Sequence, residues 1–121
     1  VGEHKVCWFG VTSDRDARAA ATKFKGMQFH EYNKSGLEIM QLLRKEQQCR
    51  LVIALTHLDV GQDLHLFRQA AECERDGLCH HLDAIIGAHN HAVSMFNLVN
   101  PWTQKTTYAW KMGQNGQFVI E

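Results

Sequence analysis

An open α/β sheet is the fold this chain predicts, and three observations carry it. Two short runs rich in branched aliphatic residues, Leu51-Val52-Ile53-Ala54-Leu55 and Leu82-Asp83-Ala84-Ile85-Ile86, have the composition of buried parallel strands. The residues between them repeat their apolar positions at helical spacing, so the three segments form a right-handed crossover unit with both strands in one sheet. A third apolar run, Val6-Cys7-Trp8-Phe9-Gly10-Val11-Thr12, comes before them, and extended segments at 92–98, 105–112 and 117–120 come after. The expected order is a βαβαβ unit followed by a meander of antiparallel strands.

Each element has a local reason. Residues 5–12 are β-favouring, and Ser13-Asp14-Arg15-Asp16 reads as the strand's exit into a loop or a helical turn. Residues 17–25 are Ala-rich and predict a short helix, whereas 26–32 predict an irregular or briefly extended segment. Ser35 followed by Glu38 has the form of a capping box, opening a helix whose apolar face (Leu37, Ile39, Met40, Leu42, Leu43) ends near Gln48. After the strand at 50–56, Asp59-Val60-Gly61 turns the chain into a helix with Leu64, Phe67 and Ala71 on one face and Leu66 and Ala70 beside them. Gly77 stops that helix. Turns at Pro101 and at Gly113-Gln114-Asn115-Gly116 separate the closing strands. Trp8, Phe9, Phe67, Trp102 and Trp110 are expected in the core as packing residues.

Composition bounds the class. A chain of 121 residues is one domain or part of one, and a domain of this size buries roughly two thirds of its unfolded surface. Thirteen Lys and Arg balance thirteen Asp and Glu, so no strong field draws the chain to nucleic acid or to an anionic membrane. No stretch approaches the ~20 apolar residues needed to cross a bilayer, and the first residues form neither a signal nor a transit peptide. A chain that opens on Val1 and steps almost at once into a strand is expected to be a cleaved product or one piece of a longer polypeptide. Cys7, Cys49, Cys73 and Cys79 are scattered, which predicts reduced thiols and a reducing intracellular compartment. Cys73, Cys79, His80 and His81 form a local cluster, but at a spacing poor for a zinc knuckle; a helix end and loop is the expectation there.

Eight histidines are many for this length, and three of them stand where chemistry is usual. One apolar run stops at Thr56-His57 and the other at Gly87-Ala88-His89-Asn90-His91. Open α/β sheets hold their ligands beyond the carboxyl ends of the strands, and neutral imidazole is the commonest metal-binding side chain. His57, His89 and His91 are therefore the candidate metal ligands. They suit one zinc with an open position for water, or two ions ~3.5 to 4 Å apart, an arrangement that also needs bridging oxygen ligands. Asp59, two residues beyond His57, and Asp14, beyond the first strand, are the acids considered for the site, and neither stands in a recognisable ligand spacing with a second acid. His4, His30, His65, His80 and His81 fit no such constellation, and Gly113 and Gly116 are expected to serve a turn.

Leu55-Thr56-His57-Leu58, then Asp83-Ala84-Ile85-Ile86-Gly87-Ala88-His89-Asn90-His91, then Lys111-Met112-Gly113-Gln114-Asn115-Gly116-Gln117-Phe118 resemble, in that order, the back half of the calcineurin-like metallophosphoesterases, in their 5'-nucleotidase branch. The first strand resembles the one that opens this half, so the resemblance covers nearly the whole chain. It implies that residues 1–121 are a single partial domain, the C-terminal half of an α/β sandwich of two sheets flanked by helices. It further implies that His57 and His89 bind one divalent ion (Zn, Mn, Fe or Mg) and His91 a second, for two-metal activation of water against a phosphomonoester such as a 5'-nucleotide. The family's front half carries Asp-x-His, Gly-Asp-x-x-Asp and Gly-Asn-His-Glu or Gly-Asn-His-Asp motifs, none of which precedes His57 here. Catalytic residues are accordingly expected from a missing N-terminal half or a partner chain. This chain alone is expected to bind metal weakly and not to hydrolyse. The competing expectation is a non-catalytic structural subunit or remnant within a larger assembly.

Overall fold

Strands β1 (Val6–Thr12), β2 (Leu51–His57) and β3 (Ala84–Gly87) lie side by side and parallel, Trp8 pairing with Ile53 and Ile53 with Ala84. The computed structural model describes residues 3–113. Helices α1 (Asp14–Ala21) and α2 (Tyr32–Lys45) connect β1 to β2, and α3 (Val60–Arg75) connects β2 to β3. Strands β4 (Ser94–Val99) and β5 (Thr106–Lys111) complete a five-stranded mixed sheet of order β1-β2-β3-β5-β4. The expected α/β class holds.

The closing strands correct the expected meander. β4 and β5 are antiparallel to each other, but β5 inserts between β3 and β4 and runs parallel to β3, with Ile85 opposite Ala109. The chain crosses to the sheet edge as β4 before returning as β5. Thr107 and Ala109 are small enough to face the helices, and the Thr107 hydroxyl donates to the Leu82 carbonyl at 2.6 Å. The strand expected at 117–120 and most of the turn at 113–116 lie outside the described residues.

Helix boundaries follow capping chemistry, with one false signal. Asp59 caps α3, its carboxylate accepting from the Gln62 amide at 2.8 Å while the Gln62 side chain accepts from the Asp59 amide. Gly77, at φ +70°, ends it. Ser35 caps nothing: α2 already begins at Tyr32, and the Ser35 amide donates to the Glu31 carbonyl inside the helix. α1 begins earlier than expected because Ser13 accepts from the Asp16 amide and so caps it.

Because the chain advances in one direction from β1 to β3, right-handed crossovers set α2 and α3 on the same face of the sheet. There Met40 and Leu66 bury against Phe9, Val52, Ala54, Ile85 and Ala109. The opposite face carries Trp8, Leu51, Leu55, Tyr108 and Met95, all exposed, with Trp8 at 65%. The placement of Trp8 and of the exposed Trp102 corrects the expectation that these rings are core; Phe9 is core as expected.

The expectation of reduced thiols is also corrected. Cys7 is bonded to Cys49 and Cys73 to Cys79, leaving no free cysteine. Both pairings follow from the topology. β1 and β2 are neighbours, and Cys49, just before β2, comes within 5.8 Å (Cα to Cα) of Cys7, whose register partner is Val52. Cys73 and Cys79 are folded together by the Gly77 turn. With its sulfurs paired, the local cluster around His80 and His81 has no thiolate to offer a zinc ion.

Candidate metal centre

The carboxyl ends of β1, β2 and β3 converge on one spot. His57 is the last residue of β2 and pairs with Thr12, the last of β1. The Ser13 amide donates to the His57 carbonyl at 3.1 Å, so α1 starts immediately beside the histidine. Its first turn presents Asp16 there. The Ala88 amide donates to the Thr56 carbonyl at 3.0 Å, which brings the end of β3 against β2, and His89 follows at φ +81°. A non-glycine residue in that left-handed region is uncommon, and functional sites are where such backbone tends to be held.

Asp16, His57 and His89 form one group of potential ligands. His57 Nε2 lies 3.0 Å from His89 Nδ1, and Asp16 Oδ2 lies 3.6 Å from each of these nitrogens. Ligand atoms at zinc bond lengths of ~2.0 to 2.1 Å on a tetrahedron stand roughly 3.3 to 3.4 Å apart, so the three observed separations bracket what an ion would impose. Asp16 Oδ2 supplies an independent sign. It is shielded from solvent and has no hydrogen-bond partner, a costly condition for a carboxylate oxygen unless a cation completes it. Two imidazole nitrogens and one carboxylate oxygen suit zinc and the harder first-row ions, and three protein ligands leave a position open. His57 itself is about half exposed, at 53%.

The structure places His57 and His89 side by side, with Asp16 as the third member of the group. His91 is exposed at φ +55° and stands outside the group. Asp59 is occupied as the cap of α3, and Asp14 lines a separate depression with Ala17 and His30. The acid that does join, Asp16, escaped the sequence reading. The signal available was Ser13: once it caps a helix, Asp16 falls in that helix's first turn, beside the end of β1. Of the other histidines, His81 sits between Glu74 Oε2 (3.1 Å) and the Thr106 carbonyl (2.8 Å), and His65 meets Asn33 at 3.3 Å.

An open groove of about 510 Å³ runs from His57 along the face away from the helices, walled by Gly10, Leu55, Ile86 and Met112. Among the described residues its lining contains no Lys or Arg.

No protein-family model matches the chain, and no solved structure does. It is 26% identical over 120 residues, 98% of its length, to the trifunctional nucleotide phosphoesterase protein YfkN of Bacillus subtilis (strain 168). The chain spans only 7% of that relative's length. Similarity along nearly the entire chain, together with the Asp and His cluster at the strand ends, supports a phosphoesterase-like relationship and a metal cofactor.

Proposed function

We propose that this chain is the histidine-bearing part of a metal-dependent phosphoester hydrolase acting on small phosphomonoesters such as 5'-nucleotides. The observation that carries the reading is the convergence of His57 and His89 with Asp16 Oδ2, an oxygen without a hydrogen bond, at separations that suit one divalent ion. When bound, such an ion supplies Lewis acidity and an activated water. The chain's own part is to hold three ligand atoms in fixed geometry and leave one side open to substrate. Similarity to a nucleotide phosphoesterase points to the substrate class.

A second ion beside His91 completes the reading as a two-metal site. One carboxylate cannot balance four formal charges, so the remaining acidic ligands and the catalytic acid come from an N-terminal half of the domain or from a partner chain. The exposed Trp8, Leu51, Leu55 and Tyr108 on the uncovered face give that polypeptide a surface to cover, forming the second layer of a sandwich. Within this reading neither nucleic acid nor a membrane is a partner.

The test is hydrolysis of nucleoside 5'-monophosphates by the native protein, with metal content measured by plasma emission. Activity that is lost on chelation, regained with Zn²⁺ or Mn²⁺, and abolished in both His57→Ala and His89→Ala is the expected result. Full activity in those two variants overturns the proposal. If the native protein binds no metal and hydrolyses no phosphomonoester, the chain is a structural subunit instead.

A further inference from the structure

Lys111 is almost completely buried, at 2% exposure, on the helix-facing side of β5. Its ammonium donates to Asp63 Oδ2 at 2.6 Å and to the Leu58 carbonyl. Asp63, 4% exposed in the first turn of α3, accepts on its other oxygen from the Thr56 hydroxyl, also at 2.6 Å. Thr56 and Leu58 are the two residues that flank His57. One buried ion pair therefore grips both sides of a metal-ligand candidate. It also reaches the strand that carries the other. Gly87 lies so close over the network that a Cβ there would stand 2.8 Å from Thr56 Oγ1 and 2.8 Å from Lys111 Cδ. Gly87 is two residues before His89.

We infer that Lys111 and Asp63 are positioning residues for the metal centre, fixing the Thr56-His57-Leu58 segment so that His57 Nε2 stays opposite His89 Nδ1. The inference rests on the metal-binding reading above. Taking two charges out of water is expensive, and a pair kept only for stability is often replaceable by apolar residues of similar volume without loss. A pair kept for geometry is not, because outer-shell groups that orient a ligand typically contribute 10- to 100-fold to metal affinity.

The experiment compares cobalt(II) binding to the unaltered chain, to the double variant Asp63→Leu with Lys111→Met, and to Thr56→Val. Affinity is read by chelator competition, geometry by the visible absorption of bound cobalt, and folding by circular dichroism. The expected result is a folded double variant with about 10- to 100-fold weaker binding and an altered spectrum. Thr56→Val, which takes the hydroxyl donor from the buried Asp63 carboxylate, is expected to stay folded with a melting temperature lowered by several degrees and to weaken binding less than the double variant does. A folded double variant with the unaltered affinity and spectrum overturns the inference and leaves the metal centre standing. Should the double variant not fold, unaltered binding in Thr56→Val overturns it. If the unaltered chain takes up no cobalt, the metal centre itself falls and the positioning role with it.

Discussion

His57 Nε2 and His89 Nδ1 face each other at 3.0 Å with their ring planes at 76°, and Asp16 closes the triangle. Two imidazole nitrogens this close share one hydrogen or one metal ion.

Metal binding is therefore expected to stabilise the fold. A ligand at 100 times its dissociation constant adds about 2.7 kcal/mol, which raises the melting temperature of a domain this size by on the order of 10 °C. Zn²⁺ should produce that shift in the unaltered chain and lose most of it in Asp16→Asn. Without metal, Asp16→Asn should melt within about 2 °C of the parent, because Asp16 is partly exposed and its Oδ2 makes no hydrogen bond. Differential scanning calorimetry with and without EDTA checks both. An equal Zn²⁺ shift in Asp16→Asn removes Asp16 from the site.

Two strand glycines should respond in opposite ways to the same change. A Cβ at Gly87 meets Thr56 Oγ1 and Lys111 Cδ at 2.8 Å, within a network that is buried and hydrogen-bonded throughout. Overpacking of this kind costs about 1 to 3 kcal/mol, so Gly87→Ala should lower the denaturation midpoint and weaken metal binding together. Gly10 is on the uncovered face with nothing within 4 Å of a Cβ, and Gly10→Ala should stay within about 0.5 kcal/mol of the parent. Urea titration of the pair distinguishes a steric effect from a general intolerance of Ala in these strands.

The contrast between those glycines shows which parts of the structure were legible in the sequence. Strand ends at His57 and Gly87 could be read because apolar runs stop there, and a parallel crossover leaves their ends no choice but to be neighbours. Asp16 could be read only as far as the first turn of a helix capped by Ser13, because its approach to the histidines depends on the Ser13 amide bonding to the His57 carbonyl, a contact between residues far apart in sequence. Lys111 was hidden by its type. A charged residue in an alternating strand reads as solvent-facing, yet Thr107, Ala109 and Lys111 share the helix side while Tyr108 and Trp110 stack on the other. The insertion of β5 beside β3 was equally closed to inspection, since periodicity reports faces and not strand order. Ser35 and Glu38 show the converse: a capping pattern without effect, because the helix had already started at Tyr32.

Both disulfides should contribute measurably, and unequally. In the loop-entropy picture the Cys7–Cys49 bond, spanning 42 residues, stabilises by about 4 kcal/mol, and the Cys73–Cys79 bond, spanning 6, by about 2.2 kcal/mol. Replacing both cysteines of the first pair by Ser should thus lower stability more than the same change in the second. Peptide mapping under non-reducing conditions checks the pairing, and urea titration checks the order. Free thiols at Cys7 and Cys49 in the native protein would contradict the pairing directly.

Acid should act through Glu74. This carboxylate stands in the last turn of α3, where the helix dipole disfavours it, and its side chain is 8% exposed. Burial pushes its pKa up, but hydrogen bonds from His81 and Asn100, together with the His81 charge, outweigh burial and hold the carboxyl below the usual glutamate value. Lys105 Nζ lies 3.5 Å from its other oxygen. The folded state thus binds this proton less readily than the unfolded chain does. Its contribution to stability is complete above about pH 4.3, the ordinary glutamate pKa, and is lost as the pH falls through the lower folded value. Glu74→Gln should therefore be less stable than the parent at neutral pH, and the difference should shrink steadily below about pH 4. Melting temperatures of both proteins across that range make the comparison, and two curves that stay parallel down to low pH would show that Glu74 carries none of the acid sensitivity.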